Sequence, residues 1–139
     1  MIVINAQDQI LGRICTVIAK KALLGEQVIV VNCEKAVLSG DRDVLLAKYF
    51  SKWKKGIPQQ GPYVSRQPEK LLRRTVRGML PWKFQKGRDA FKRVTCFVGM
   101  PHEYQNVQFL AIENAGRKKV INVSTHYLGD ICKLIGAKS

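Results

Sequence analysis

Apolar positions change their period along this chain, and each change marks an element. Residues 2–4 form a short apolar run that predicts a buried strand. From 10 to 24, Leu11, Ile14, Cys15, Ile18, Ala22 and Leu23 recur at helical spacing, with Asp8 placed as N-cap and Gly25 as the stop. Residues 28–31 are a continuous β-branched run, as expected of a strand covered on both faces. Strand, amphipathic helix and buried strand make a βαβ unit. A possible edge strand follows over 36–39, then a helix over 41–53 capped by Asp41. The stretch GIPQQGPY, with two glycines and two prolines, enforces an irregular loop. Further on, 94–98 reads as a core strand and 107–112 is ambiguous between strand and helical turn. Residues 120–123 read as a strand, and 125–135 as a last helix capped by Ser124.

The segment around which these elements are organised is SRQPEKLLRRTVRGMLPWKFQKGRDAFKR, residues 65–93. Pro68 suits a first helical position, where its missing N–H costs nothing, and Glu69 suits the positive end of the helix dipole. Lys70, Arg73, Arg74 and Arg77 then fall on one side of the helix. Leu72, Thr75, Val76 and Met79 fall on another side and are expected to be buried. Gly78 weakens the helix near its end and Pro81 cannot continue it. A second cationic stretch carries Lys83, Lys86, Arg88, Lys92 and Arg93, interleaved with Trp82, Phe84 and Phe91, and a short helix is expected over 87–93.

Charge sharpens the picture. The 139 residues predict one domain, 1–139, and carry 24 Lys+Arg against 10 Asp+Glu, a net +14. Between 48 and 93 lie 14 of the cations and only two carboxylates, Glu69 and Asp89, leaving 10 cations and 8 carboxylates for the rest. A nearly neutral body with one cationic segment points to a polyanionic partner. The four cysteines show no Cys-x-x-Cys spacing and read as small buried side chains rather than metal or redox groups. The strand-like MIVI start lacks the layout of a signal peptide, and no apolar run approaches the ~20 residues of a membrane span, so a cytosolic protein without membrane contact is expected.

An enzyme finds little support in the residues. Neither G-x-G-x-x-G nor G-x-x-x-x-G-K-[ST] occurs, and Asp41/Asp43, the one close carboxylate pair on a helix, are spaced so that they do not share a face. No cofactor, metal or small-molecule substrate is therefore expected. The cations of 48–93 are not interleaved with carboxylates, as they would be on a self-paired solvated face. Aromatic residues alternate with them and offer stacking surfaces for bases. RNA is the expected partner, held by Lys52, Lys54, Lys55, Arg66, Lys70, Arg73, Arg74, Arg77, Gly78, Trp82, Lys83, Lys86 and Arg88. Gly78 is included because its missing side chain lets an RNA backbone come close. A nucleotide-dependent α/β enzyme and a free RNA-binding regulator remain as alternatives.

The run GPYVSRQPEKLLRRTVRGMLPWKFQKGRDAFKRV, with VRGMLP at its centre, resembles the signature of the large-subunit ribosomal protein thirteen family. ILGRICTVIAK and VIVVNCEKAVLSG are similar to that family's first helix and second strand. GRDAFKRVTCFVGMPHEY resembles its archaeal and eukaryotic branch. The likeness runs through residues 1–104 in register and is looser beyond. It implies a three-layer α/β/α fold with a mainly parallel, roughly four-stranded sheet and a basic helical and loop extension. It also implies a structural, non-enzymatic constituent of the large ribosomal subunit in the cytoplasm. Such a protein would clamp large-subunit rRNA during assembly and contact neighbouring large-subunit ribosomal proteins.

Overall fold

The computed structural model describes residues 1–120 and 123–137. Strand β1 (Ile2–Asn5), helix α1 (Leu11–Leu23) and strand β2 (Val28–Val31) form the expected βαβ unit, with β1 and β2 parallel. All four β2 residues are buried, because β2 is the central strand and both faces are covered. After the short strand β3 (Val37–Ser39) come helices α2 (Arg42–Lys54), α3 (Pro68–Met79) and α4 (Gln85–Lys92). Strand β4 (Val94–Cys96) then returns parallel to β2, giving the order β1-β2-β4. The chain closes with β5 (Thr125–Tyr127) and α5 (Leu128–Leu134).

This is the expected α/β architecture with a mainly parallel sheet, and its details differ from expectation in several places. The parallel sheet has three strands among the described residues, not four. β3 is not its edge; it pairs antiparallel with β5 as a separate ribbon, Val37 opposite Tyr127 and Ser39 opposite Thr125. One face of the main sheet carries α1, α3 and α4 over the large core of Ile4, Ile14, Ile18, Leu72, Val76 and Leu128. The other face, Val3, Ile29 and Val31, is covered by Phe97, Met100, Tyr104, Val107 and Phe109 from an irregular segment rather than by an α-helical layer. Residues 107–112 accordingly form neither strand nor helix, although the Leu110 amide donates to the Val3 carbonyl at 2.9 Å.

Two caps expected from the sequence belong to other structures. Asp8 does not cap α1; the N-cap is Ile10. Asp8 has φ 54°, a left-handed conformation that Asp tolerates better than most residues, and this turns it towards the tail. Its carbonyl accepts from the Arg117 amide at 2.9 Å and its Oδ1 from the Tyr127 hydroxyl at 2.8 Å. Ser124 caps no helix, because Thr125, His126 and Tyr127 are extended and paired with β3; β-branched and aromatic side chains suit that pairing. Of the strand expected over 120–123, residues 121 and 122 lie outside the described residues, and Val120 and Val123 are irregular. The strand expected over 94–98 ends at Cys96, where Phe97 swings onto the second face of the sheet.

The cysteines behave as core side chains. Cys15, Cys33 and Cys132 are buried and Cys96 is half-buried, all of them free thiols. Burial, with the neighbouring Cys96 adding, pushes the Cys15 thiol up to about 12. Burial also raises Cys132 to about 12, with Glu69 adding to it. Hydrogen bonding to the Cys96 thiol and burial hold Cys33 above the ordinary range.

Candidate nucleic-acid interface

Helix α3 is the backbone of the candidate site. Pro68 opens it, with Glu69 in its first turn and Gln67 as N-cap. Leu71, Leu72 and Val76 are buried, and the helix packs on α1 and β4. Full burial of a side chain such as Val76 contributes about 1.5–3 kcal/mol. The inward stripe continues from Leu72 and Val76 to Leu80, not to Met79, which is exposed; Leu71, outside the expected inner face, is buried as well. A stripe can advance by three or four residues per turn, and here it advances by four. Thr75 is half-buried, its hydroxyl donating to the Leu71 carbonyl at 3.0 Å.

The opposite face holds the cations in two different ways. Lys70 and Arg74 project freely. Arg73 and Arg77 are half-buried and lie over aromatic rings, Arg73 at 4.5 Å from the Phe91 ring centre and Arg77 at 4.0 Å from that of Trp82. The two rings brace each other edge to face, 5.2 Å apart and 88° between planes. Stacking of this kind orients a guanidinium while leaving its outward N–H edge available. Lys70, Arg73, Arg74 and Arg77 with Trp82 and Phe91 line one depression of about 390 Å³. Trp82 therefore serves as a seat for Arg77 rather than as an open stacking surface. The exposed rings are Trp53, Tyr63 and Phe84.

The turn after α3 is set by a close contact. Gly87 is buried in α4, and a Cβ there would lie 2.2 Å from the Pro81 carbonyl oxygen. This allows α4 to fold back so that Phe91 and Trp82 meet. Lys83, Lys86 and Arg88 are exposed around the turn, the Arg88 Nε–H donating to the Trp82 carbonyl at 3.3 Å, but none lines the Trp82 depression. Arg66 stacks on Trp53 at 4.0 Å from the ring centre and donates to the Gly136 carbonyl at 3.4 Å. Lys52, Lys54 and Lys55 are exposed at the end of α2, Lys52 and Lys55 facing α3 across a groove and Lys54 on the side of Trp53. Gly78 is exposed and lines that groove, with open space where a Cβ would stand.

Two ion pairs occur among the described residues, Lys21–Glu26 and Lys92–Asp89, so of the cations in 48–93 only Lys92 has a carboxylate partner there. Arg93 turns inward to the Ala22 carbonyl. The residues that sequence reasoning missed are Phe91, which seats Arg73, and Gly87, which makes the fold-back possible. The aromatic position in the basic stretch was the only signal for the first.

Elsewhere the chemistry is different. A second depression of about 400 Å³ lies past the ends of β1 and β2, where the carboxylates of Asp8, Glu34 and Asp130 outnumber Lys35 and Lys133, a poor setting for a nucleotide phosphate. Among the described residues no group of His, Cys, Asp or Glu is placed to hold a metal ion, and no helix is long and apolar enough to cross a membrane.

Fold and face together define a small basic α/β protein whose α3 cations have no carboxylate partners among the described residues. The sequence profile of the Ribosomal protein L13 family matches residues 1–103. The chain is 44% identical over 135 residues to the large ribosomal subunit protein uL13 of Archaeoglobus fulgidus, covering 96% of this chain and 86% of that protein. It is 39% identical over 138 residues to uL13 of Methanococcoides burtonii, covering 99% of each, and 36% identical over 136 residues to uL13 of Methanopyrus kandleri. The chain belongs to the ribosomal protein L13 family. These alignments extend through the tail, where the resemblance noted from the sequence was loose.

Proposed function

We propose that the chain is a structural constituent of the large ribosomal subunit in the cytoplasm and that it clamps large-subunit rRNA through the cationic face of α3 and its surroundings. The observation that carries this reading is the pair of arginines, Arg73 and Arg77, held over Phe91 and Trp82 beside Lys70 and Arg74, which have no carboxylate partner among the described residues. Arginines fixed before binding lose less freedom when they meet phosphates. Around them, Lys52, Lys54, Lys55, Arg66, Lys83, Lys86 and Arg88 extend the positive surface, and Gly78 leaves room for a backbone to approach. Membership of a ribosomal-protein family makes the chain a structural protein rather than an enzyme.

Lys and Arg displace the counterions condensed on RNA, which lets rRNA segments approach one another. Contacts fall mainly on phosphates and 2′-hydroxyls, so RNA shape is read more than sequence. Neighbouring large-subunit proteins are the other expected partners.

The test is sedimentation of cell extract containing the tagged chain or its Lys70→Glu/Arg74→Glu variant. The wild-type chain is expected with large subunits and the variant at the top of the gradient. A wild-type chain found mainly free would favour an RNA-binding regulator instead, and a variant that assembles normally would remove α3 from the interface.

A further inference from the structure

Across Arg74 from the Trp82 depression lies a larger groove, about 610 Å³ in volume. Segments far apart in sequence meet there: the start of α1, the outer side of α2, the loop at Pro62 and Val64, and the flank of α3. Its floor is apolar, with Leu38, Tyr49, Val64 and Leu71. The charged residues at its rim are all cations: Lys48, Lys52, Lys55 and Arg74 are exposed, none has an ion-pair partner among the described residues, and no described carboxylate lines the groove. Gly12 and Gly78 stand at it with open space where a Cβ would be. An apolar floor under a positive rim matches the two halves of a nucleotide, a flat base and a phosphate, and the volume falls within the range of small-ligand sites, about 300–1,000 Å³.

We propose that this groove receives one unpaired nucleotide of the bound RNA, its base against Tyr49 and Leu71 and its phosphate on Lys52 and Arg74. The inference rests on the RNA reading above and adds a requirement to it. Arg74 lines both concavities, so the backbone of the inserted nucleotide continues directly over Arg74 onto Lys70 and Arg77. Bases of an unbroken helix are stacked and paired and cannot enter. A bulge or a single-stranded junction can supply one, and contact with Tyr49 and the apolar floor replaces the stacking it has lost. The protein would therefore recognise a place where an rRNA helix is interrupted, rather than a helix as such.

The experiment titrates the full chain with a short RNA duplex, either unbroken or carrying one bulged fluorescent purine, 2-aminopurine. The bulged duplex is expected to bind about tenfold more tightly, the size of a modest stacking contribution, with a change in purine fluorescence on binding. Gly12→Leu puts a side chain into the groove from a helical position with free space around it, away from the α3 cations. It should abolish the preference while keeping affinity for the unbroken duplex within about twofold. Lys52→Glu, a second probe independent of that helix, should also reduce the preference. Adenosine monophosphate and a Glu-rich peptide bearing a Phe should not displace the bulged duplex. Equal binding of the two duplexes, or a Gly12→Leu protein that keeps the preference, overturns the proposal. Displacement by the mononucleotide or by the peptide overturns it in favour of a free nucleotide or an acidic protein segment. Failure of both duplexes to bind better than heparin would instead bring down the RNA reading itself.

Discussion

The guanidinium of Arg77 lies 4.0 Å from the centre of the Trp82 ring, so a cation placed outward by helical periodicity is also a packing residue. Charge and stability are thus separable on α3. Lys70→Glu/Arg74→Glu changes two exposed side chains and is expected to leave thermal melting within about 0.5 kcal/mol of wild type. Arg77→Ala is expected to destabilise by about 0.5–2 kcal/mol, since it removes a partly desolvated cation–π contact. Val76→Asp should unfold the domain, because it buries an unpaired charge. Melting followed by circular dichroism checks all three; equal losses for the first two variants would mean that the stacking contributes nothing.

Salt reports on how many cations meet phosphate. With about six to eight such contacts, affinity for a large-subunit rRNA fragment should fall by ~10³–10⁴ between about 50 and 200 mM salt. Lys70→Glu/Arg74→Glu should reduce the slope as well as the affinity. A binding constant that hardly moves with salt would contradict an electrostatic clamp.

Two glycines in neighbouring helices should respond in opposite directions to the same change. Gly87→Ala would place a Cβ 2.2 Å from the Pro81 carbonyl and force α4 away from the turn, a loss of about 1–3 kcal/mol. Gly78→Ala meets open space in a helix and should be neutral or stabilising by up to about 1 kcal/mol. Its effect on RNA affinity is expected to be unfavourable, because the added methyl narrows the approach to α3. Urea titrations of both variants, beside RNA titration of the second, test the contrast.

The buried thiols make stability depend on alkaline pH. Cys15 and Cys132 are raised from an ordinary value of 9.0 to about 12 by burial, so the folded state keeps protons that the unfolded chain gives up. Their contribution is fully present below about pH 9 and is lost as pH rises from there towards 12, by about 1.4 kcal/mol per pH unit for each thiol. Urea denaturation across that range should show the decline, and Cys15→Ala/Cys132→Ala should lessen it, leaving the part that the raised Cys33 thiol contributes. In the native protein at neutral pH, alkylation should reach the half-exposed Cys96 before the three buried cysteines.

Local order alone determined much of this protein. The buried run at Val28–Val31, the helical period from Leu11 to Leu23, Pro68 at the start of α3 and the cation stripe of Lys70, Arg73, Arg74 and Arg77 each follow from neighbours within a turn or two. Such neighbours set period and propensity, and those are what a sequence displays directly. What they leave open is which of several compatible partners a residue meets. Met79 and Leu80 both fit an inner face, and only packing on α1 and β4 selected Leu80. Asp8 has the chemistry of a cap, yet its left-handed backbone gives it to Tyr127, far along the chain. Thr125–Tyr127 could have opened a helix until β3 offered a strand to pair with. The seating of Arg73 on Phe91 and the groove joining Gly12, Tyr49, Val64 and Arg74 likewise depend on segments brought together by the core. Burial of apolar surface rewards the assembly as a whole, so those contacts exist only once the whole chain has folded.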